Sequence, residues 1–113
     1  MNERRLPEDP IRFIQDCFRQ GSVYWTYHVN MRISGRFISR DAIFRAADTL
    51  EIVEVYPSDK YLPSYLVLGR YGGDTFHLVV AVDVQGGNIR IVSAYRPDAG
   101  DWYGDMKTRR PKP

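Results

Sequence analysis

The sequence predicts an α+β domain in which two or three N-terminal helices pack on one face of a four-stranded antiparallel sheet. Apolar residues recur with the helical period of 3.6 in the first part of the chain and with a period of 2 from Leu50 onward. Helices that precede the strands in segregated order are typical of the α+β class. Two glycine-rich turns, at 72–74 and 85–88, indicate that the later strands follow one another as a meander.

Length and composition limit the kind of protein that this chain can be. The 113 residues suffice for one domain with a modest core, which we expect at about 9–104. Hydrophobic residues make up 43 % of the chain, which indicates a globular protein. No apolar run approaches membrane length and the first ten residues contain no signal region, so we expect a cytoplasmic protein without a membrane partner. The single cysteine, Cys17, agrees with a reducing compartment.

The first helix is marked at both ends. Asp9 is a residue type that caps helix N-termini, and Pro10 suits the first helical position. Gly21 provides a C-terminal stop. A short aromatic connection over 22–25 then leads to a central helix, which is predicted from about Thr26 to Ser34.

A third helix and the strands follow. Ser39 is the predicted N-cap of a helix that runs through Ala47. The alternating pattern predicts four strands, at Leu50–Tyr56, Tyr65–Tyr71, Thr75–Val84 and Ile89–Arg96. The last seven residues, 107–113, are basic and contain proline, and we expect them to form a flexible tail.

Charge is segregated along the chain although the net charge is only +2. Residues 28–45 hold four cations against one carboxylate: Arg32, Arg36, Arg40 and Arg45 against Asp41. Residues 48–60 are mainly acidic. This distribution indicates a local anion-binding surface rather than a generally basic protein.

A titratable histidine and several permanently charged arginines occur together in residues 26–41, TYHVNMRISGRFISRD. His28, Arg32 and Arg36 are spaced four apart, so they share one face of a helix provided that Gly35 does not end it. With Thr26 as N-cap, His28 lies in the first turn, where the helix favours an anion. The pattern suits a phosphate ligand. A solvated helix face with a locally packed histidine is the simpler alternative.

Three polar groups are candidates for one cleft: the His28 stripe, His77 on the third strand, and Tyr95-Arg96 at the end of the fourth. Histidine, tyrosine and arginine without clustered carboxylates suit metal-independent RNA cleavage, in which a base takes the 2′-hydroxyl proton and an acid protonates the leaving oxygen. An arginine would stabilise the charged transition state. The predicted catalytic residues are His28, Arg32, Arg36, His77 and Tyr95, and the predicted RNA-binding residues are Arg32, Arg36, Arg40 and Arg96.

These residues also have structural explanations. The position of His77 is also typical of a histidine at the edge of the core whose hydrogen bond is satisfied, and the position of Tyr95 is also explained by packing. A metal site made of His28, His77 and Asp83 lacks ligand spacing, so neither a metal nor another cofactor is predicted. The alternative to an enzyme is a non-catalytic module that binds a protein or a nucleic acid through the same surface.

Four motifs, in order, resemble the domain-of-unknown-function family numbered 4258. They are Y-H-x-x-x-R at Tyr27, His28 and Arg32, R-F-I-S at Arg36–Ser39, F-H-L-V-V-A at Phe76–Ala81 and S-A-Y-R-P-D at Ser93–Asp98. The resemblance covers roughly residues 11–103. The family's polar signature matches His28, Arg32, Arg36, His77 and Tyr95.

The family's order of elements is similar to that of the RelE-like and MqsR-like mRNA interferase toxins. Together with the histidine, tyrosine and arginine set, this similarity leads us to predict a toxin-like, metal-independent endoribonuclease of a toxin–antitoxin system. The resemblance also implies a small zinc-finger, antitoxin-type protein as a partner. The chain lacks the lysine-rich surface of ribosome-dependent RelE-type toxins, which argues against action on the ribosome.

Overall fold

The computed structural model describes residues 5–26 and 38–111, in which two helices lie against a five-stranded mixed sheet. The elements, in chain order, are α1 (Pro10–Gln20), β1 (Val23–Trp25), α2 (Arg40–Arg45), a 3-10 turn (Ala47–Thr49), β2 (Glu51–Tyr56), β3 (Ser64–Tyr71), β4 (Asp74–Asp83) and β5 (Asn88–Tyr95). The predicted central helix, apart from Thr26, lies outside the described residues. The α+β class is confirmed.

The sheet has the order β1-β5-β4-β3-β2. Strands β2 to β5 form the predicted antiparallel meander, but the prediction of a four-stranded, purely antiparallel sheet is wrong. Residues 23–25, which the sequence suggests are a connection, form a fifth strand that pairs in parallel with β5. Three residues are too few to show a period of 2, and their partners at 89–91 are distant in sequence. Val23 and Trp25 nevertheless pack against the core.

The predicted helix boundaries depend on short-range chemistry, and the structure bears most of them out. The Asp9 carboxylate accepts a hydrogen bond from the Arg12 N–H at 3.1 Å, and Gly21 ends α1 with a φ of 74°. Ser39 likewise accepts from the Ala42 N–H at 3.0 Å. The helix that Ser39 begins is shorter than predicted, because it ends at Arg45 and gives way to the 3-10 turn.

Removing the first of these caps has a predictable cost. Asp9→Ala should lower the free energy of unfolding by about 1 kcal/mol, because the Arg12 N–H loses its acceptor. Chemical denaturation followed by circular dichroism measures this change. Glu8→Ala, which alters a neighbouring carboxylate outside the cap, is the control, and an equal loss in both variants would contradict the role of Asp9.

The two faces of the sheet have different surroundings. On the inner face, alternate residues of β3 to β5 pack against Ile14 and Phe18 of α1 and Ile43 of α2. The outer face carries the intervening residues. Because paired residues of adjacent strands point to the same side, one row of the outer face runs across four strands: Tyr24, Arg90, Ala81 and Ser64.

Residues 98–110, which we call the C-terminal hairpin, fold back over one end of the outer face. Trp102 pairs with Arg109 in an antiparallel bridge. Lys107 forms an ion pair with Glu51 at 3.0 Å, and Arg109 binds Glu54 at 2.6 Å. Acidic residues of β2 thus provide partners for two cations within the predicted flexible tail, whose mobility stays a prediction.

The length and the apolar character that a helix needs to cross a membrane are not combined in any of the described helices.

Candidate functional site

The C-terminal hairpin covers His77, one of the two histidines of the chain. His77 lies on β4 opposite Tyr95 on β5, on the sheet face away from α1 and α2, and is fully buried. Its Nε2 atom lies 2.7 Å from the carbonyl oxygen of Met106, and its Nδ1 atom lies 3.2 Å from the Tyr95 hydroxyl. A carbonyl can only accept, so this network assigns the ring proton to Nε2, and Nδ1 accepts from the hydroxyl of Tyr95.

Burial keeps this pair neutral. Burial lowers the pKa of His77, and the positive charge of Arg109 acts in the same direction, against the hydrogen bond to Met106 and the charge of Glu54. Burial also raises the pKa of Tyr95. A neutral imidazole with both nitrogens bonded has no free position from which to take a proton.

A second set of charged groups borders the pair. The hydrogen bond from Arg109 lowers the pKa of Glu54. Burial and a hydrogen bond to Glu54 raise the pKa of Tyr56 to about 12. The guanidinium of Arg109 also lies 4.5 Å from the ring centroid of Trp102, and the Trp102 and His77 rings make a T-shaped contact with a centroid distance of 4.6 Å. These contacts attach the C-terminal hairpin to β2 and β4.

The structure brings together only some of the residues that the sequence predicts as a site. His77 and Tyr95 are adjacent, but the C-terminal hairpin lies over them. Arg96, a predicted RNA contact, forms a two-pronged ion pair with Asp74, with distances of 2.6 and 3.0 Å. Arg40 lies at the start of α2 with its guanidinium 4.9 Å from the Trp25 ring centroid. His28, Arg32 and Arg36 lie outside the described residues.

At the other end of the outer face, the described residues form a groove of about 340 Å³ that none of them covers. We call it the outer groove, and its lining includes Lys60, Tyr61, Ser64, Ala81, Arg90 and Val92. Arg90 lies in the outer row next to Tyr24 of β1, which is 62 % exposed. Tyr61, in the segment between β2 and β3, is 74 % exposed. Two accessible tyrosines and two cations therefore occupy one face.

A β-bulge completes the lining of the outer groove. Val79 pairs with Ser93 and Val80 with Ile91, so Val92 has no partner on β4. Val92 is consequently exposed and contributes an apolar wall. Sequence reasoning did not identify this groove. The alternation of Ile89, Arg90 and Ile91 indicates an outward-pointing cation, but only the tertiary pairing with β1 places Tyr24 beside it.

A comparison with protein families agrees with the resemblance noted in the sequence. The model of a family described as "Domain of unknown function (DUF4258)" matches residues 25–96. This range includes α2 and strands β2 to β5 and ends before the C-terminal hairpin. No curated protein and no solved structure matches the chain, so the similarity to RelE-like toxins is not confirmed. With a match over well more than half of its length, the chain belongs to the DUF4258 family.

Proposed function

We propose that this protein is a non-catalytic module that binds single-stranded RNA through the open end of its outer sheet face. The observation that carries the proposal is the exposed pair Tyr24 and Arg90, side by side on β1 and β5. Sheet-based RNA recognition uses aromatic rings on which unpaired bases stack and cations that neutralise phosphates. Lys60 and Tyr61 extend the same combination across the outer groove.

The state of His77 favours binding over catalysis. An endoribonuclease of the kind that the sequence suggests needs a histidine in contact with the 2′-hydroxyl or the leaving oxygen. His77 is buried, and both of its ring nitrogens are occupied by Tyr95 and Met106. The toxin-like nuclease and its antitoxin-type partner therefore stay predictions, and RNA cleavage that is lost in His77→Gln would support them over the binding module.

Fluorescence anisotropy with a labelled single-stranded RNA of mixed sequence tests the proposal. Arg90→Ala should weaken binding and should reduce the slope of log K against log salt concentration by about one, because one phosphate contact is lost. Tyr24→Ala should cost about 1–3 kcal/mol of binding free energy through loss of base stacking. Duplex RNA, whose bases are already stacked, should bind more weakly than the single strand.

Arg70→Ala is a matched control for charge. Arg70 is also an exposed arginine of the sheet, but it forms an ion pair with Glu51 at 2.8 Å near the C-terminal hairpin. Its removal should leave RNA affinity and the salt dependence nearly unchanged. Failure of the wild-type protein to bind single-stranded RNA, or equal losses in the Arg70 and Arg90 variants, would contradict the proposal.

A further inference from the structure

We infer that the outer groove is a subsite for one nucleotide whose base carries an exocyclic amino group, a role that rests on the proposed binding of RNA. The first argument is space. The groove volume of about 340 Å³ lies at the low end of the range of about 300–1,000 Å³ that is usual for small-molecule sites. Its floor is made of the short side chains of Ser64 and Ala81, so the space suits a single nucleotide.

The second argument is charge. Arg90 is exposed at the groove and forms no ion pair with any of the residues that the structure describes. A guanidinium can bind two phosphate oxygens at once, which gives both affinity and orientation. Lys60 provides a second cation in the same lining. An anionic group of the ligand would therefore lie at the Arg90 end.

The third argument is an accessible aromatic ring beside a polar edge. The Tyr61 ring is 74 % exposed, and the Nζ atom of Lys60 lies 5.3 Å from its centroid. A nucleobase has a π-face that stacks on such a ring. Leu62, the next residue along the chain, and Val92 are apolar members of the same lining. The base would therefore lie at the Tyr61 end of the groove.

The fourth argument concerns the edge of the base. Asp59 also lines the groove, and its carboxylate accepts a hydrogen bond from the Ser64 hydroxyl. A carboxylate accepts hydrogen bonds from exocyclic amino groups, such as N4 of cytosine. Uracil presents a carbonyl oxygen at the corresponding position, which a carboxylate repels. The groove should therefore prefer cytidine over uridine nucleotides.

Nuclear magnetic resonance titration of the full chain with cytidine 5′-monophosphate tests the inference. Amide signals of Ser64, Ala81 and Arg90 should shift on binding. Uridine 5′-monophosphate, cytidine and inorganic phosphate should each bind at least about tenfold more weakly, because the first two each lack one of the three contacts and inorganic phosphate lacks both contacts of the base. Inorganic phosphate that binds as tightly as the nucleotide would overturn the inference in favour of a simple anion site.

Variants separate the outer groove from the rest of the surface. Tyr61→Ala should lower nucleotide affinity about tenfold, whereas Tyr61→Phe, which keeps the ring, should bind normally. The matched control is Tyr103→Ala, because Tyr103 is also an exposed tyrosine with a cation, Arg110, 4.7 Å from its ring centroid, but it lies on the C-terminal hairpin. Equal effects of the two alanine variants would contradict the inference.

The two proposals fail in different ways. The nucleotide subsite would be overturned, and the RNA-binding module kept, if RNA binding depended on Tyr24 and Arg90 but not on Tyr61 and cytidine monophosphate did not bind. Nucleotide binding in the outer groove without measurable affinity for single-stranded RNA would instead overturn the proposed function and keep the subsite.

Discussion

Replacing Trp102 by alanine is expected to lower the free energy of unfolding by about 3–5 kcal/mol. The indole is only 3 % exposed, makes a T-shaped contact with the buried His77 ring and carries the Arg109 guanidinium over its own ring. Its loss leaves a cavity between the C-terminal hairpin and the sheet. Urea denaturation followed by circular dichroism measures the change.

The neighbouring residue supplies the control for Trp102. Tyr103 is 41 % exposed, and Tyr103→Ala should change the free energy of unfolding by about 0.5 kcal/mol or less. If Trp102→Ala costs no more than this, the C-terminal hairpin is not a packed part of the fold.

Replacing His77 by leucine should cost about 1–3 kcal/mol of stability, although leucine is an apolar residue in a buried place. The Met106 carbonyl loses its donor and the Tyr95 hydroxyl loses its acceptor, and an unsatisfied buried polar group carries its full desolvation cost. His77→Gln, which has both a donor and an acceptor, should recover part of the loss. Equal stability of His77→Leu and the native protein would contradict this network.

The same histidine sets a pH dependence of stability. The pKa of folded His77 lies below the usual value of 6.5, so the unfolded chain binds more protons between the two values. Stability should therefore fall as the pH drops below about 6.5, by at most about 1.4 kcal/mol per pH unit. Hydrogen bonds from their cation partners lower the pKa values of Glu51 and Glu54. The stability that these two carboxylates contribute is therefore lost only at more acidic pH. A plot of the free energy of unfolding against pH should be flatter between about pH 6.5 and 5 for His77→Gln than for the native protein.

Local chemistry explains which parts of the fold could be predicted. The caps Asp9 and Ser39 and the stop at Gly21 act within a few residues, and the structure has all three. The four strands of the meander also carry their own alternation. By contrast, β1 is recognisable only through its pairing with β5. The C-terminal hairpin depends on the ion pairs Lys107–Glu51 and Arg109–Glu54, whose members are separated by 56 and 55 positions in the sequence. No local pattern reveals such distant pairs.

The candidate site, like the fold, could be predicted only in part. A strand-end tyrosine and a strand histidine were expected to converge, and His77 does lie opposite Tyr95. The sequence left open whether the two side chains are packed or face a cleft, because the answer depends on the C-terminal hairpin folding over the sheet. The outer groove was missed because its residues come from β3, β4, β5, the segment before β3 and the position that follows β1, and no single stretch contains the combination.

The position of α1 and β1 has a consequence for synthesis of the chain. These elements leave the ribosome before the sheet, but their contacts with β5 and the turn that precedes it arise much later: the thiol of Cys17 meets the carbonyl of Gly87 in that turn, 70 residues further along. At about 5–20 residues per second, translation separates the two events by several seconds. Throughout that interval the apolar side of the nascent helix, with Ile14 and Phe18, has no sheet to cover it, which makes it a binding target for ribosome-associated chaperones.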